Sequence, residues 1–480
     1  MYIFGFSNED LSNRSVTDFQ LNNQLLEPGK TVSFTAQLKN TSGGNVTNGI
    51  ASLFINGIRS AQQSFDLNEG ETKSISFETV LNDAGLVQAY VEIEQDDILQ
   101  DNVRHTAFLV PEKLNVLLAS DNNDDTKFVK IALRSSSDKR ETNIKEINIS
   151  ELSFNLSRDY DVVIIIGMKN INDTESLGKF IEGGGRVILF PGSTSSARDM
   201  QSLMGGLNIK TRAQQIGEPN STESIAYFGK VEYEHPIFSN LFEDKEDTKV
   251  ESPEIYSYFR FFSSTEMLPI ISMNDNSLFL SEIKNGNGRL LLFNTAPILS
   301  WSNFPIKTLF APLINKSVLY QTMKSDAGKS IIAGDKIDIR IDNMKLPQLK
   351  NVMPNSTQEF INLNELGSSN YFSYNNTDQL GVYKFYSGEE LVDFASVNFD
   401  PEETSTSYAG ENEIEEYISR FVVKDNYTFI NPAADYKQEI KQARYGTELW
   451  KYFLIAALFV ALLELFVSKN SRKDFAELKK

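Results

Sequence analysis

Few residues in this chain have the type and spacing to do chemistry. One group follows an apolar run: Arg186-Val-Ile-Leu-Phe190 leads into Pro191-Gly192-Ser193-Thr194-Ser195. A hydroxyl there could be a nucleophile, which needs a neighbouring base. The base would have to be His235, since the chain's other histidine, His105, falls in a different segment. The strained Gly-x-Ser-x-Gly elbow that exposes a serine is absent, so the segment reads more simply as a turn and helix cap. A second group is Asp121, Asp124 and Asp125. Such carboxylates can hold magnesium for phosphoryl chemistry, but they equally suit capping of a helix from an exposed loop. A third is Gly183-Gly-Gly-Arg186. Phosphate-cradling loops run from a strand into a helix; this one leaves a helix and enters a strand, which makes it a stop signal. A fourth is Asp96, Asp97, Asp101 and Asn102, oxygen ligands suited to calcium but without the spacing of a calcium loop. They read as a solvated loop. No residue is assigned a catalytic, cofactor-binding or metal-binding role.

Composition narrows the chemistry further. The chain has no cysteine, which removes disulfides, thiolate metal sites and cysteine nucleophiles together. Two histidines are too few for a multi-histidine metal site. A formal charge of −19 opposes nucleic-acid binding and any electrostatic grip on anionic lipid. Asn-X-Ser/Thr triplets such as Asn45-Val-Thr47 follow from an Asn- and Ser-rich composition.

The elements that would position these residues fall into successive blocks. Residues 1–17 read as a linker or a truncated N-terminal region. Over 18–112, alternating runs such as Thr31–Lys39 and Ser74–Val80, with the hairpin signal Asn56-Gly57, predict an immunoglobulin-like β-sandwich. Over 113–325 the pattern switches to continuous apolar runs, Leu114–Ala119, Tyr160–Gly167 and Arg186–Phe190, separated by helical segments. That is the pattern of a doubly wound α/β domain, flavodoxin-like in kind. It resumes at Leu268–Met273, Phe279–Ile283 and Gly288–Phe293, followed by a helix over Pro305–Met323. Clean alternation in Lys336–Ile341 and Gly381–Tyr386 predicts a second sandwich over 326–433. Glu402–Asn412 reads as a polar loop, and 434–449 as a juxtamembrane helix that Gly446 loosens.

Residues 450–468 predict a transmembrane helix. The stretch is apolar on every face and about 20 residues is the length a bilayer needs. Its Leu, Ile, Phe and Val residues each favour insertion by about 0.3–0.6 kcal/mol. Trp450 and Tyr452 suit the interfacial aromatic belt, while Glu464 opposes insertion from near one end. The tail 469–480 carries Lys469, Arg472, Lys473, Lys479 and Lys480 against Asp474 and Glu477. Lys- and Arg-rich flanks stay cytoplasmic, which puts the bulk of the chain in the periplasm. The opening Met1-Tyr-Ile-Phe-Gly-Phe-Ser has no signal-peptide pattern, so either a further segment stands upstream of Met1, the favoured expectation, or the chain is tail-anchored with the opposite orientation.

Several stretches in order resemble bacterial membrane proteins of the aerotolerance BatA type: Asp97-Ile-Leu-Gln-Asp-Asn102, Leu114–Ala119, Gly183-Gly-Gly-Arg-Val-Ile-Leu-Phe-Pro-Gly192, His235-Pro-Ile-Phe238, Gly288–Pro297 with Phe310-Ala-Pro-Leu313, and Trp450–Phe466 with its Glu464. The resemblance covers most of the chain and implies a periplasmic array of β-sandwiches around a domain similar to class I glutamine amidotransferases. It also implies two N-terminal membrane helices, and partners similar to von Willebrand A-domain proteins and MoxR-type ATPases. The amidotransferase cysteine should follow the strand Val187–Phe190, where this chain has Pro191, Gly192 and Ser193. The expectation is therefore a non-enzymatic, membrane-anchored scaffold of the cell envelope, without cofactor, contacting envelope proteins and membrane lipid. The alternative is a ligand-binding or weakly hydrolytic α/β domain that uses Ser193 and His235.

Overall fold

The computed structural model describes the chain except residues 1, 5–11, 136–140, 157–158, 170, 172, 243–249, 324–328, 342–347, 364–370, 405–410, 423–426, 431–435, 447–448 and 478–480. It divides into two units, Ser12–Thr404 and a smaller one made of Met1–Leu11 with Ser405–Lys480.

The larger unit opens with a β-sandwich. Arg14–Leu21, Thr31–Asn40 and Thr72–Val80 form one sheet; Ile58–Leu67, Val46–Ile55, Gly85–Ile93 and Val103–Val110 form the other. Alternation sets the core, as a strand buried on one face requires: Val32, Phe34, Ala36 and Leu38 point inward from a single strand. Asn56 and Gly57 both take positive φ, 49° and 80°, the backbone of a two-residue hairpin turn. The sandwich begins earlier than the sequence pattern places it, because Arg14–Leu21 is its first strand and the 1–17 segment is not simply a linker. The acidic loop after Ile93 holds that entry. Asp96 Oδ2 accepts the Arg14 N–H at 2.6 Å, Asp97 Oδ2 the Ser12 N–H at 2.9 Å, and Asp101 Oδ2 the Asn13 side-chain amide at 3.0 Å. These carboxylates are therefore a clasp on backbone and amide donors, not a solvated loop.

The central sheet has eight strands. In spatial order Glu141–Asn148, Lys113–Ser120, Val162–Ile166, Arg186–Phe190 and Gly288–Phe293 run parallel; Leu278–Asn285, Leu268–Met273 and Phe228–Val231 then continue it antiparallel. The expected resumption of parallel winding thus holds for only one strand, and the sheet is mixed. Val162–Ile166 is fully buried because both faces are covered. Val162, Ile164 and Ile166 meet the layer containing the helices Lys127–Arg134 and Phe310–Thr322, and Val163 and Ile165 meet the layer of Thr174–Glu182 and Ala197–Gly206. A separate ribbon, Thr211–Gly217 against Ser257–Ser263, brackets the edge strand Phe228–Val231 in sequence. The helix expected over Pro305–Met323 is a short 3-10 turn, Phe304–Ile306, and then Phe310–Thr322.

The second sandwich pairs a five-stranded sheet, which includes Gly381–Ser387 and Glu390–Asn398, with a two-stranded antiparallel sheet of Ile337–Arg340 and Tyr371–Tyr374. Its strands end at Asn398 rather than near residue 433. It is tied to the first sandwich by a reciprocal pair: the His105 N–H donates to Asn398 Oδ1 at 2.7 Å and Asn398 Nδ2 donates to the His105 carbonyl at 2.9 Å.

In the smaller unit, Tyr2–Phe4 pairs in parallel with Thr428–Ile430. Glu411–Ser419 is a helix that begins at the end of the stretch read as loop and lies in the span expected to be sandwich; Ile414, Tyr417 and Ile418 recur in it at helical spacing. Within the span 434–449 expected to be helical, the described helix is Tyr436–Tyr445, and Gly446 after it takes φ 75°. The last helix runs from Trp450 to Glu477, so it continues well into the stretch read as a tail.

Candidate functional site

Ligands of open parallel sheets bind outside the carboxyl ends of the strands, where the strand order reverses. Here that point lies between Lys113–Ser120 and Val162–Ile166, and the candidate residues Asp121, Asp125 and Ser193 do assemble around it. They are already committed to one another and to backbone. Asp125, 3% exposed, accepts the Ser193 N–H on Oδ2 at 2.7 Å. Asp121 Oδ2 accepts the Lys169 N–H at 2.9 Å. Asn122, not Asp124 or Asp125, caps the short helical turn that begins at Asn123. Ser195 Oγ accepts the Gly192 N–H at 2.9 Å, and Ser196 caps the helix Ala197–Gly206 through a capping box with Asp199. The loops also press together as backbone. Gly167 has φ 96°, and a Cβ there would meet Asp121 Oδ2 at 2.5 Å; a Cβ on Gly192 would meet the Gly167 Cα at 2.9 Å. The edge is thus packed by its own loops.

The structure does not bring Ser193 and His235 together. Ser193 follows the C-terminal end of its strand. His235 faces the opposite, N-terminal end of the same sheet, beside Arg289, whose register partner is Arg186, the first residue of that strand. Both imidazole nitrogens are engaged there. Nδ1 accepts the Ile237 N–H at 3.3 Å, and Nε2 lies 3.5 Å from Glu282 Oε2. Neither is placed to activate Ser193. The glycines 183–185 likewise act as the end of the helix Thr174–Glu182: the Gly183, Gly184 and Gly185 N–H groups donate to the carbonyls of Lys179, Ile181 and Phe180.

Glu282 is the centre of a buried polar cluster that the sequence reading missed. It is 3% exposed on a central strand. The Tyr320 hydroxyl donates to its Oε2 at 2.6 Å, Arg289 Nε lies 3.5 Å from Oε1, and the Arg289 guanidinium sits 4.1 Å from the centre of the Tyr320 ring. Burial pushes the Glu282 carboxyl up, but hydrogen bonds from His235 and Tyr320 and the Arg289 charge outweigh it, so it titrates below the usual carboxylate range. Burial, with the Glu282 hydrogen bond, pushes the Tyr320 hydroxyl above its ordinary range. A carboxylate inside the apolar run Leu278-Phe-Leu-Ser-Glu-Ile283 was the available signal.

A shallow groove of about 310 Å³ lies beside the inserted ribbon, lined by Arg260, Phe262, Asp275 and Ser277 among others. Its charges are internally matched: Arg260 pairs with Asp275 and donates to Ser277 Oγ at 2.7 Å and to the Tyr258 hydroxyl at 2.9 Å. Among the described residues no group of three or more His, Cys, Asp or Glu side chains is arranged to hold a metal ion.

The anchor residues fall in one helix. Trp450, Tyr452, Glu464, Lys469, Arg472 and Lys473 all belong to Trp450–Glu477. Trp450–Ser468 is apolar throughout most of its length, and none of it is buried by the other described residues. Its length and apolar composition let it cross a membrane.

No family model and no curated protein matches the chain. Among solved structures, a cytoplasmic protein of Salmonella typhimurium overlaps 43% of this chain and 98% of its own, at 15% identity and a TM-score of 0.33. A second cytoplasmic protein, from Salmonella typhimurium LT2, overlaps 44% of this chain and 100% of its own, at 12% identity and a TM-score of 0.35. A CARDB domain from Pyrococcus furiosus, solved in complex with di-metal ions, overlaps 22% and 96%, at 16% identity and a TM-score of 0.20. These overlaps assign neither activity nor partner to this chain.

Proposed function

We propose that this chain is a membrane-anchored, non-enzymatic scaffold of the bacterial cell envelope, related to the BatA type. The observation that carries the reading is the helix Trp450–Ser468, long and predominantly apolar, and not buried by the other described residues. An apolar cylinder of that length in water would expose Leu, Ile, Phe and Val side chains along its whole surface, and lipid removes that cost. The basic residues Lys469, Arg472 and Lys473 after it favour a cytoplasmic C-terminus and a periplasmic bulk in the inner membrane.

The scaffold part of the reading is supported by the central domain. Its strand order at the parallel edge, with the second strand outside the first and the third and fourth following, is compatible with a glutamine amidotransferase-like ancestry. The position after Phe190 where that chemistry needs a cysteine holds Pro191, Gly192 and Ser193, and the Ser193 N–H is bonded to Asp125. The two sandwiches offer the broad, rigid surfaces of interaction domains. Partners similar to von Willebrand A-domain proteins and MoxR-type ATPases fit the same ancestry.

Alkaline carbonate extraction of membranes tests the anchor. The chain is expected in the membrane pellet, and a variant ending at Leu449 in the supernatant. Protease added outside intact spheroplasts should digest the bulk of the chain. Recovery of the full chain in the soluble fraction would overturn the reading.

A further inference from the structure

Within the membrane helix, one face differs from the rest. Ala457, Ala461, Glu464 and Ser468 stand at i, i+4, i+7 and i+11, which places them in line on a helix of 3.6 residues per turn. The opposite face carries Ile455, Phe459, Leu462 and Phe466. Small residues let a second helix approach closely in lipid, where no hydrophobic effect drives association. Glu464 adds a charge to that face. It lies four residues inside the end of the span, about 6 Å deep at 1.5 Å per residue.

On its own helix the positions one turn away from Glu464 are Val460, Ala461, Val467 and Ser468, none of them cationic. The span is also uncovered by the rest of the described chain. Ionisable side chains in membrane spans generally face another helix and pair there.

We infer that the Ala457–Ala461–Glu464 face is a docking surface for a second transmembrane helix that carries a lysine or arginine at the depth of Glu464. This rests on the membrane reading of Trp450–Ser468 and names the partner that reading lacks. A basic helix fits better than a second copy of this chain: a parallel pair through the same face would set two Glu464 carboxylates against each other in a medium that does not screen them. In an antiparallel pair, Lys451 would not serve, because it lies about 140° around the helix from Glu464.

The test uses the full chain in phosphatidylcholine vesicles. Because the chain has no cysteine, Ser471→Cys takes a single fluorescent acceptor. The probe is a donor-labelled synthetic Leu/Ala transmembrane helix bearing one lysine at matching depth, compared with the same helix bearing leucine. The lysine helix is expected to associate about threefold to thirtyfold more tightly. Glu464→Gln should abolish that preference, Glu464→Asp should keep part of it, and Ala461→Leu should weaken association with the charge intact. Phe459→Leu, on the far face, should change nothing. Equal association of the two probes, a preference that survives Glu464→Gln, or stronger association between two labelled copies of the chain would overturn the inference. Retention at alkaline pH without a lysine preference overturns this inference alone; release from the vesicles overturns the membrane reading as well.

Discussion

The Asp125 carboxylate accepts the backbone N–H of Ser193 at 2.7 Å, and Asp125 is 3% exposed. The loop after the first parallel strand thereby holds the loop after the fourth. In a sheet of this kind the loop after the first strand flanks the crevice where a ligand would be held. Here the carboxylate that could have met a ligand instead accepts a part-buried backbone N–H.

Asp125→Ala is expected to destabilise the chain by about 1–3 kcal/mol, the cost of leaving a part-buried donor unsatisfied. Ser193→Ala keeps the same N–H and should stay within about 0.5 kcal/mol of the parent. Denaturant melts of the full chain in detergent check both. A Ser193→Ala variant less stable than Asp125→Ala would contradict the clasp.

The Lys316 ammonium and the Glu27 carboxylate form an ion pair between the helix Phe310–Thr322 and the first sandwich, with side chains only 7% and 5% exposed. Removing one partner leaves the other charge buried, which costs about 3–5 kcal/mol. Glu27→Leu and Lys316→Met are each expected in that range. The double variant should recover most of the loss, because two apolar side chains replace a pair whose attraction is spent largely on desolvation. A double-mutant cycle by chemical denaturation reads the coupling; additive losses would show that the pair does not act as a unit.

Glu282 balances Arg289 and accepts from the Tyr320 hydroxyl in the interior. Glu282→Gln keeps the shape and removes the charge, leaving the Arg289 guanidinium buried without its counter-charge; a loss of about 3 kcal/mol or more follows. Tyr320→Phe removes one hydrogen bond to a charged acceptor and should cost about 1.5–3 kcal/mol. Thermal or denaturant unfolding of the two variants should rank them in that order.

What the sequence disclosed depended on how local the signal was. Val162–Ile166 was legible because five consecutive apolar residues need no knowledge of a partner to be read as a strand covered on both faces. Asn56-Gly57 was legible because its turn geometry is fixed by two residues. The pairing of Tyr2–Phe4 with Thr428–Ile430 joins opposite ends of the chain through three-residue strands, and no local pattern encodes it. The separation of Ser193 from His235 was hidden for a related reason. It depends on which end of the sheet each loop occupies, and for His235 that is set by the direction of the preceding strand Phe228–Val231, antiparallel to Leu268–Met273. The acidic loop at Asp96–Asn102 showed its residue types but not its acceptors' partners, since those are backbone N–H groups from Ser12 and Arg14 far earlier in the chain.

Two titrating groups in the first sandwich give stability a pH dependence of opposite sign over one window. Burial pushes the Asp101 carboxyl up to about 6, against the opposing Asn13 hydrogen bond, from an ordinary value of 3.8. Its folded form holds the proton more tightly than the unfolded chain, so Asp101 stabilises below about pH 4, and that contribution is lost as pH rises to about 6. Burial pulls the His105 imidazole down to about 4 from 6.5. There the unfolded chain binds the proton more tightly, so the His105 contribution is complete above about pH 6.5 and is lost as pH falls towards 4. Asp101→Asn should therefore make stability rise more steeply with pH between 4 and 6 than in the parent, whereas His105→Gln should flatten the rise. Above pH 7 the difference between each variant and the parent should be constant. Denaturation midpoints at half-unit pH steps from 4 to 8 measure both slopes. A variant whose difference from the parent does not change across the window removes that residue's titration as the cause.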